Sequence, residues 1–135
     1  AGGPYVFPEV RRAITDAFRR AGVSGVDELD GIETHDCFTT TEYMAIDHFG
    51  ITAPGESWKA VEAGWLEIGG KHPINPSGGF QSFGEATTAM GVFQVAELTW
   101  QLRGDAGGRQ VPGAKAGLAQ TIGLGGNATA VVLKK

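Results

Sequence analysis

The stretch THDCFT, residues 34–39, places an imidazole, a carboxylate and the only thiol of the chain at three consecutive positions. It lies where a predicted strand (30–36) passes into a predicted helix (39–48). One strand end can direct several reactive groups into a cleft, and the following helix N-terminus adds N–H donors and positive potential. The stretch therefore predicts a reactive corner, unless Cys37 is only a small apolar group beside a helix cap.

Hydrophobic spacing on both sides of this corner predicts alternating helices and strands. The predicted order is a helix over 8–21, the strand 30–36, the helix 39–48, a short helix over 57–65, an irregular segment over 73–79, a long helix over 85–103, and strands over 115–122 and 128–133 joined by a turn at 125–127. Short groups of glycines between these segments indicate tight turns. The predicted fold class is α/β, with helices layered on a mixed sheet that ends in an antiparallel hairpin.

Several helix ends carry local predictions. Thr39-x-x-Glu42 has the form of a capping box, and Ser57 is suited to cap the short helix. His48 lies late in its helix, where a cation is favourable, and is therefore predicted to be exposed. Glu85 would begin the long helix, whose positive end favours its charged form. The short helix is predicted to pack through one apolar face, formed by Trp58, Val61 and Trp65.

Composition restricts the possible functions. At 135 residues and 41% hydrophobic content, the chain is predicted to be one domain (1–135) with a core of its own. A formal net charge of -4 and the lack of a basic cluster argue against nucleic-acid binding. No apolar run reaches the roughly 20 residues needed to span a bilayer. A single Cys excludes an internal disulfide and fits a reducing, cytoplasmic compartment.

Three blocks, in order along the chain, carry a family resemblance. They are HDCF at 35–38, NPSGG at 75–79 and IGLGG at 122–126. From about residue 8 to its end, the chain resembles the C-terminal half of a thiolase-superfamily protein, most closely the sterol-carrier-protein or lipid-transfer type and acetyl-CoA acetyltransferase. The chain begins at Ala1 without a Met, as a piece of a longer protein would. The resemblance implies a thiolase-like domain that lacks its N-terminal half.

The resemblance also implies an acyltransferase of lipid or sterol side-chain metabolism, with a CoA thioester as substrate and no covalently bound cofactor. Thiolase chemistry needs a thiolate that holds the acyl group, a group that moves the α-proton, and donors for developing oxyanions. The family's acyl-carrying cysteine belongs to the N-terminal half, so this chain alone is expected to be inactive. In this subgroup Cys37 would move the α-proton, and His35 would serve the oxyanion site. Further oxyanion or cleft-lining groups are expected at Asn75, Gly78, Gly79, Gly84 and Gly125.

One block departs from the family pattern. Thiolases usually carry GHPxGxxG at the start of the long helix, whereas this chain reads GEATTAMG over residues 84–91. Glu85 therefore stands where the family has a histidine that activates the nucleophile and donates to an oxyanion. A carboxylate cannot donate unless it is protonated. Glu85 is a catalytic candidate, and the alternative is a helix-terminal carboxylate with no catalytic task.

Three functions remain open. Cys37 favours a thiolase-type acyltransferase. Glu85 favours either a non-catalytic acyl-CoA-binding subunit or a retro-aldolase that acts on steroid side-chain CoA esters beside a small OB-fold partner protein. The almost wholly apolar long helix is expected to be covered by the N-terminal half, or by a homodimer or higher oligomer. His72 is expected to approach the cleft, but no spacing of His35, Cys37 and His72 matches a structural zinc site, so no metal is predicted.

Overall fold

The computed structural model describes residues 7–135, so the first residues of the chain lie outside the described part. Its elements follow in the order α1 (Pro8–Ala21), β1 (Gly31–Glu33), α2 (Thr39–Phe49), α3 (Ser57–Glu62), α4 (Gly79–Phe83), α5 (Met90–Arg103), β2 (Ala116–Ile122) and β3 (Ala128–Lys134). This alternation confirms the predicted α/β class. Within the described residues, no helix combines the length and apolarity that crossing a bilayer requires.

The three strands form one mixed sheet in the order β1-β2-β3. Strand β1 runs parallel to β2, with Ile32 beside Leu118, and β2 runs antiparallel to β3, with Leu118 beside Val132. The turn between β2 and β3 contains Gly125 and Gly126, which have φ of 80° and 83°. Because side chains avoid these left-handed angles, glycines suit the turn, and the predicted antiparallel hairpin is confirmed.

Helices cover both faces of the sheet. Ile32 and Leu118 join one buried cluster with Val10 and Ile14 of α1, and Ile46 of α2 belongs to the same cluster. The opposite face meets α5, since a Cβ on Gly117 would lie 2.8 Å from Leu98 Cδ2. Successive strand residues point to opposite faces, so Gly117 and Leu118 identify the two layers. The predicted layering of helix, sheet and helix is therefore confirmed.

Strand β1 is shorter than predicted. The backbone N–H of Thr34 donates to Asn75 Oδ1 at 2.8 Å, and that of His35 donates to Gln120 Oε1 at 3.4 Å. After Glu33, hydrogen bonds to side chains thus replace the backbone hydrogen bonds of the sheet. The segment that carries His35, Asp36 and Cys37 is therefore a loop. Along the outer edge of β1, Ile74 forms a parallel bridge with Ile32, which brings the predicted irregular segment against the sheet.

The prediction of a capping box at α2 is wrong. The N-cap residue is Phe38, and no side chain caps the helix. Glu42 turns away, and its Oε1 accepts from Asn75 Nδ2 at 3.4 Å. The prediction of an exposed His48 is also wrong. His48 is buried between α1 and α2, and its Nε2 accepts from the N–H of Phe7 at 2.8 Å.

The long helix begins at Met90 rather than Glu85. Gly84 and Thr88 have φ of 100° and 78°, values that no α-helix contains. Residues 84–89 are therefore a loop, and the separate helix α4 precedes it. Glu85 accordingly lies outside the first turn of α5, and the expected stabilisation by a helix dipole does not apply.

Helix α3 also differs from its prediction. It ends at Glu62, and its N-cap is Glu56 rather than Ser57, whose hydroxyl donates instead to Asp47. Trp58 and Val61 are exposed, so the prediction that they pack into the fold is wrong.

Candidate active site

A cleft of about 650 Å³ opens where β1, α5 and the β2–β3 turn meet. Three segments that are distant in sequence line it: the corner after β1, the loop before α5, and the end of β2 with its turn. Their lining residues are His35, Cys37, Glu85, Thr87, Thr88, Met90, Gly91, Thr121, Ile122, Gly123 and Leu124. The cleft lies at the carboxyl ends of the parallel strands β1 and β2, the usual location of ligand sites in such sheets.

The corner, residues 34–39, packs against the segment 75–80. Asp36 is buried, and its Oδ1 accepts from the N–H of Phe80 at 2.7 Å. A Cβ on Gly79 would lie 2.0 Å from Asp36 Oδ2, so only glycine fits beside this carboxylate. Asp36 therefore ties residues 34–39 to the segment 75–80, and it is not among the residues that line the cleft.

A second carboxylate anchors the same loop. Glu33 is buried and accepts from both the N–H and the Oγ of Ser77, at 3.2 and 2.8 Å. Burial raises the pKa of Glu33 to about 7, although the two bonds from Ser77 oppose the shift. Asn75, Gly78 and Gly79 lie in this supporting loop and do not line the cleft, because the Asn75 side chain binds Thr34 and the glycines make room for their neighbours.

The orientation of His35 follows from one backbone donor. The N–H of Ile122 donates to His35 Nδ1 at 3.3 Å, so Nδ1 accepts and Nε2 carries the hydrogen in the neutral ring. His35 Nε2 lies 3.4 Å from Glu85 Oε1. Burial lowers the pKa of His35, while Glu85 and Asp36 oppose this shift. The site therefore offers a neutral N–H donor at the edge of the cleft.

Cys37 and Glu85 complete the reactive group. The Cys37 Sγ, a ring nitrogen of His35 and a carboxylate oxygen of Glu85 all lie within 4.8 Å of one another. Cys37 is half-buried, and its thiol donates weakly to Thr41 Oγ1 at 3.5 Å. Glu85 is exposed on the loop before α5. The fold thus brings together the three predicted catalytic residues and provides a thiol, an N–H donor and a carboxylate in one place.

The structure separates His72 from this group. His72 is buried, and its Nε2 lies 3.4 Å from Asp27 Oδ1. It does not line the cleft, so the prediction that it approaches the site is wrong. Gly84 and Gly125 adjoin lining residues in sequence but are not themselves part of the lining.

Two supporting residues were missed in the sequence. Gln120 is fully buried, and its Oε1 accepts from Thr34 Oγ1 at 2.7 Å, next to its bond with the His35 backbone. Its position as a polar residue within the mostly apolar strand β2 could have indicated a buried hydrogen-bonding role. Thr88 lines the cleft with a φ of 78°. It occupies the middle glycine position of the pattern GHPxGxxG, which could have indicated a left-handed residue.

Comparison with known proteins gives one family. A family model described as "Thiolase C-terminal domain-like" matches residues 4–135. Sterol carrier protein 2 of Rattus norvegicus is 43% identical over 124 residues, which are 92% of this chain and 22% of that protein. Acetyl-CoA acetyltransferase of Methanothermobacter thermautotrophicus is 42% identical over 119 residues, 88% of this chain and 31% of that protein. The chain thus spans less than a third of the length of these relatives.

A solved structure shows the same fold. It is titled "Ltp2-ChsH2(DUF35) aldolase" and superposes with a TM-score of 0.85 over 99% of this chain and 34% of its own. Its sequence identity is 24%, so the likeness concerns the fold alone.

Proposed function

We propose that this chain, which belongs to the thiolase C-terminal domain-like family, forms one wall of the active site of a thiolase-type acyl-CoA acyltransferase. One observation carries the proposal. His35 and Cys37, from the first family block, line the same cleft as Ile122 and Gly123, from the last block. The supporting sequence match extends to acetyl-CoA acetyltransferase and sterol carrier protein 2, which suits a CoA thioester as substrate.

The geometry suggests a role for each group. Cys37 exchanges the α-proton of the bound thioester, since its thiolate form can remove this proton and its thiol form can return it. The Nε2–H of His35 donates to the thioester carbonyl oxygen, whose charge grows as the α-proton leaves. Glu85 Oε1 now lies 3.4 Å from that nitrogen. Because Glu85 is on an exposed loop, it can withdraw when the carbonyl oxygen takes its place.

The acyl-carrying cysteine would come from polypeptide outside this chain, as the family resemblance implies. The outer face of α5 supports such a covering partner. Val92 is 67% exposed there, and Phe93, Trp100 and the nearby Phe83 are also exposed. These residues present an apolar surface of the kind that soluble proteins usually cover. A homodimer or higher oligomer, an OB-fold partner, and a cytoplasmic location stay predictions.

Retro-aldol cleavage of a steroid side-chain CoA ester is the second candidate, and Glu85 favours it. The carboxylate lies within 4.8 Å of the thiol. It can take the proton of a β-hydroxyl group while the carbon–carbon bond breaks, and Cys37 can then protonate the resulting enolate. Such a reaction needs no acyl-carrying nucleophile and therefore no imidazole at position 85.

Substitution of Glu85 by histidine separates the two candidates in the intact gene product. Thiolysis of acetoacetyl-CoA should increase in Glu85→His if the site is an acyltransferase, because the imidazole can donate where the carboxylate cannot. Cleavage of a β-hydroxyacyl-CoA should fall in the same variant if the site is an aldolase. In both cases Cys37→Ser should lower kcat by roughly 10²-fold or more, because it removes the acid–base group.

Glu62→Gln serves as the matched control, since this exposed carboxylate of α3 lies outside the cleft. It should leave both rates unchanged. Binding of acyl-CoA by calorimetry without turnover of either substrate would contradict both catalytic candidates and favour a non-catalytic subunit.

A further inference from the structure

We infer that His35, Cys37 and Glu85 form a binding site for a zinc-type divalent transition metal ion. The inference does not rest on the proposed acyl-CoA chemistry, and a bound ion would occupy the His35 nitrogen and the Cys37 sulfur that this chemistry uses, so the two states exclude each other. It rests on three different donor types, an imidazole nitrogen, a sulfur and a carboxylate oxygen, that lie within 4.8 Å of one another on the wall of an open cleft. Zinc sites with three protein ligands and one open position use this kind of donor set.

The distances suit a tetrahedral ion after a small adjustment. Metal–ligand bonds of the usual length place neighbouring ligand atoms roughly 3.3–3.6 Å apart. His35 Nε2 and Glu85 Oε1 already lie 3.4 Å apart. The remaining separations, within 4.8 Å, can close because Glu85 lies on an exposed loop and the Cys37 thiol makes only one weak bond, to Thr41.

One hydrogen bond opposes metal binding. Ile122 donates its N–H to His35 Nδ1, so the ring carries its hydrogen on Nε2, the atom that would bind the metal. Binding requires this hydrogen to move to Nδ1 and the bond from Ile122 to be lost. The Nδ1–H would then face the N–H of Ile122, so the buried ring has to turn or the backbone has to shift, and the three metal–ligand bonds must outweigh this cost.

Charge and protons balance in the bound state. The ion brings two positive charges, and the thiolate of Cys37 and the carboxylate of Glu85 supply two negative ones. The thiol releases its proton to solvent, whereas His35 remains neutral with its hydrogen on the other nitrogen. The fourth position stays open to the cleft, where a water or a substrate oxygen can bind. A metal here would also hold the Cys37 sulfur and prevent its alkylation.

Cobalt(II) titration of the purified 135-residue chain tests the site, because cobalt replaces zinc and reports its ligands. We expect the visible bands of tetrahedral cobalt, a near-ultraviolet thiolate-to-cobalt band, and loss of both when zinc is added. Cys37→Ser should abolish the thiolate band, and Glu85→Gln should weaken binding at least about tenfold. Glu62→Gln should bind like the unsubstituted chain. Circular dichroism confirms that each variant keeps its fold.

Alkylation of Cys37 is an independent measurement of metal binding that does not require enzyme activity. Zinc should protect Cys37 from iodoacetamide, and EDTA should restore labelling. The inference is overturned if the unsubstituted chain shows no thiolate band, or if Glu85→Gln binds as tightly as the unsubstituted chain. It is equally overturned if binding survives Cys37→Ser unchanged, which would assign the metal to other groups such as His72 and Asp27.

Discussion

Helices α1 and α5 cover opposite faces of the same sheet, but they meet it with different chemistry. The buried residues of α1 are all apolar, namely Val10, Ile14 and Ala17, and its outer face carries ion pairs such as Arg19 with Asp16. Helix α5 is mixed, because it buries polar residues beside the apolar Met90, Leu98 and Leu102. Its buried residues include Gln94, Glu97 and Gln101, while Val92 and Phe93 are exposed.

The polar groups beneath α5 are satisfied by specific partners. Glu97 accepts two bonds from Arg109, at 3.1 and 3.0 Å, and a third from Gln101. Gln94 donates to the backbone oxygen of Gln120 at 2.8 Å, which ties α5 to the strand that holds the His35 corner. The α1 face is therefore held by hydrophobic burial, whereas the α5 face combines apolar contacts with directional bonds and presents further apolar groups outward. The bonds beneath α5 hold the strand beside His35, and the exposed apolar residues of α5 are those that the proposed partner would cover.

Gly79 provides the strongest test of how tightly the α5 side is fixed. Gly79→Ala should lower the free energy of unfolding by roughly 3–4 kcal/mol, because the new Cβ would clash with the buried Asp36 carboxylate at a left-handed φ of 69°. Urea denaturation measures the change. Gly31→Ala is the control, since a Cβ there meets no atom within 4 Å. Equal losses in the two variants would contradict the close packing beneath the corner.

The two helices can be compared directly by truncating one side chain on each. Ile14→Ala should cost about 3 kcal/mol, because Ile14 is buried in the α1 core. Val92→Ala should change stability by less than about 0.5 kcal/mol, because this side chain of α5 is exposed. A large loss in Val92→Ala in the isolated chain would show that α5 is already covered, for instance by a second copy.

The carboxylate Glu42 of α2, which lies against Asn75, gives the fold a pH dependence. Burial, with a contribution from Asp36, raises the pKa of Glu42 from 4.5 to about 7. A raised folded-state pKa means that its stabilisation is complete below about pH 4.5 and is lost as the pH rises through about 7. Glu42→Gln should remove this part of the decline, on the order of 1 kcal/mol because the group is partly exposed.

Thermal unfolding at several pH values between 4 and 8 measures that slope. Glu33 titrates in the same range, so the slope should decrease without vanishing. An unchanged slope in Glu42→Gln would mean that Glu42 binds its proton equally in the folded and unfolded states, which would contradict the raised pKa.

Thr88 should give the smallest effect. Its φ of 78° is unfavourable for a β-branched residue, so Thr88→Gly should raise the free energy of unfolding by roughly 0.5–1 kcal/mol. Thr87→Gly, beside it, should lower stability slightly, because glycine there only adds freedom to the unfolded chain. A loss of stability in both variants would indicate that the loop before α5 has ordinary backbone angles in solution.

Local patterns in the sequence predicted much of this fold correctly. The apolar spacing of α1 and the glycines of the β2–β3 turn depend on near neighbours, and both predictions are confirmed. The predictions that failed depend on distant partners. Glu42 matched a capping box but binds Asn75, and His48 matched an exposed helix end but lies between α1 and α2.

In the candidate site, too, local sequence patterns and contacts between distant segments determined different features. The sequence by itself determined which reactive groups exist, since HDCF places the thiol two residues from the imidazole and a carboxylate stands at position 85, where the resembled pattern has a histidine. Only the tertiary structure decided that Glu85 lies next to His35 and that the N–H of Ile122 places the hydrogen of the His35 ring on Nε2. It also decided that His72 lies beside Asp27, outside the cleft. The physical reason is that backbone propensity and helix capping act over a few residues, whereas hydrogen bonds between distant segments exist only once the sheet has brought them together.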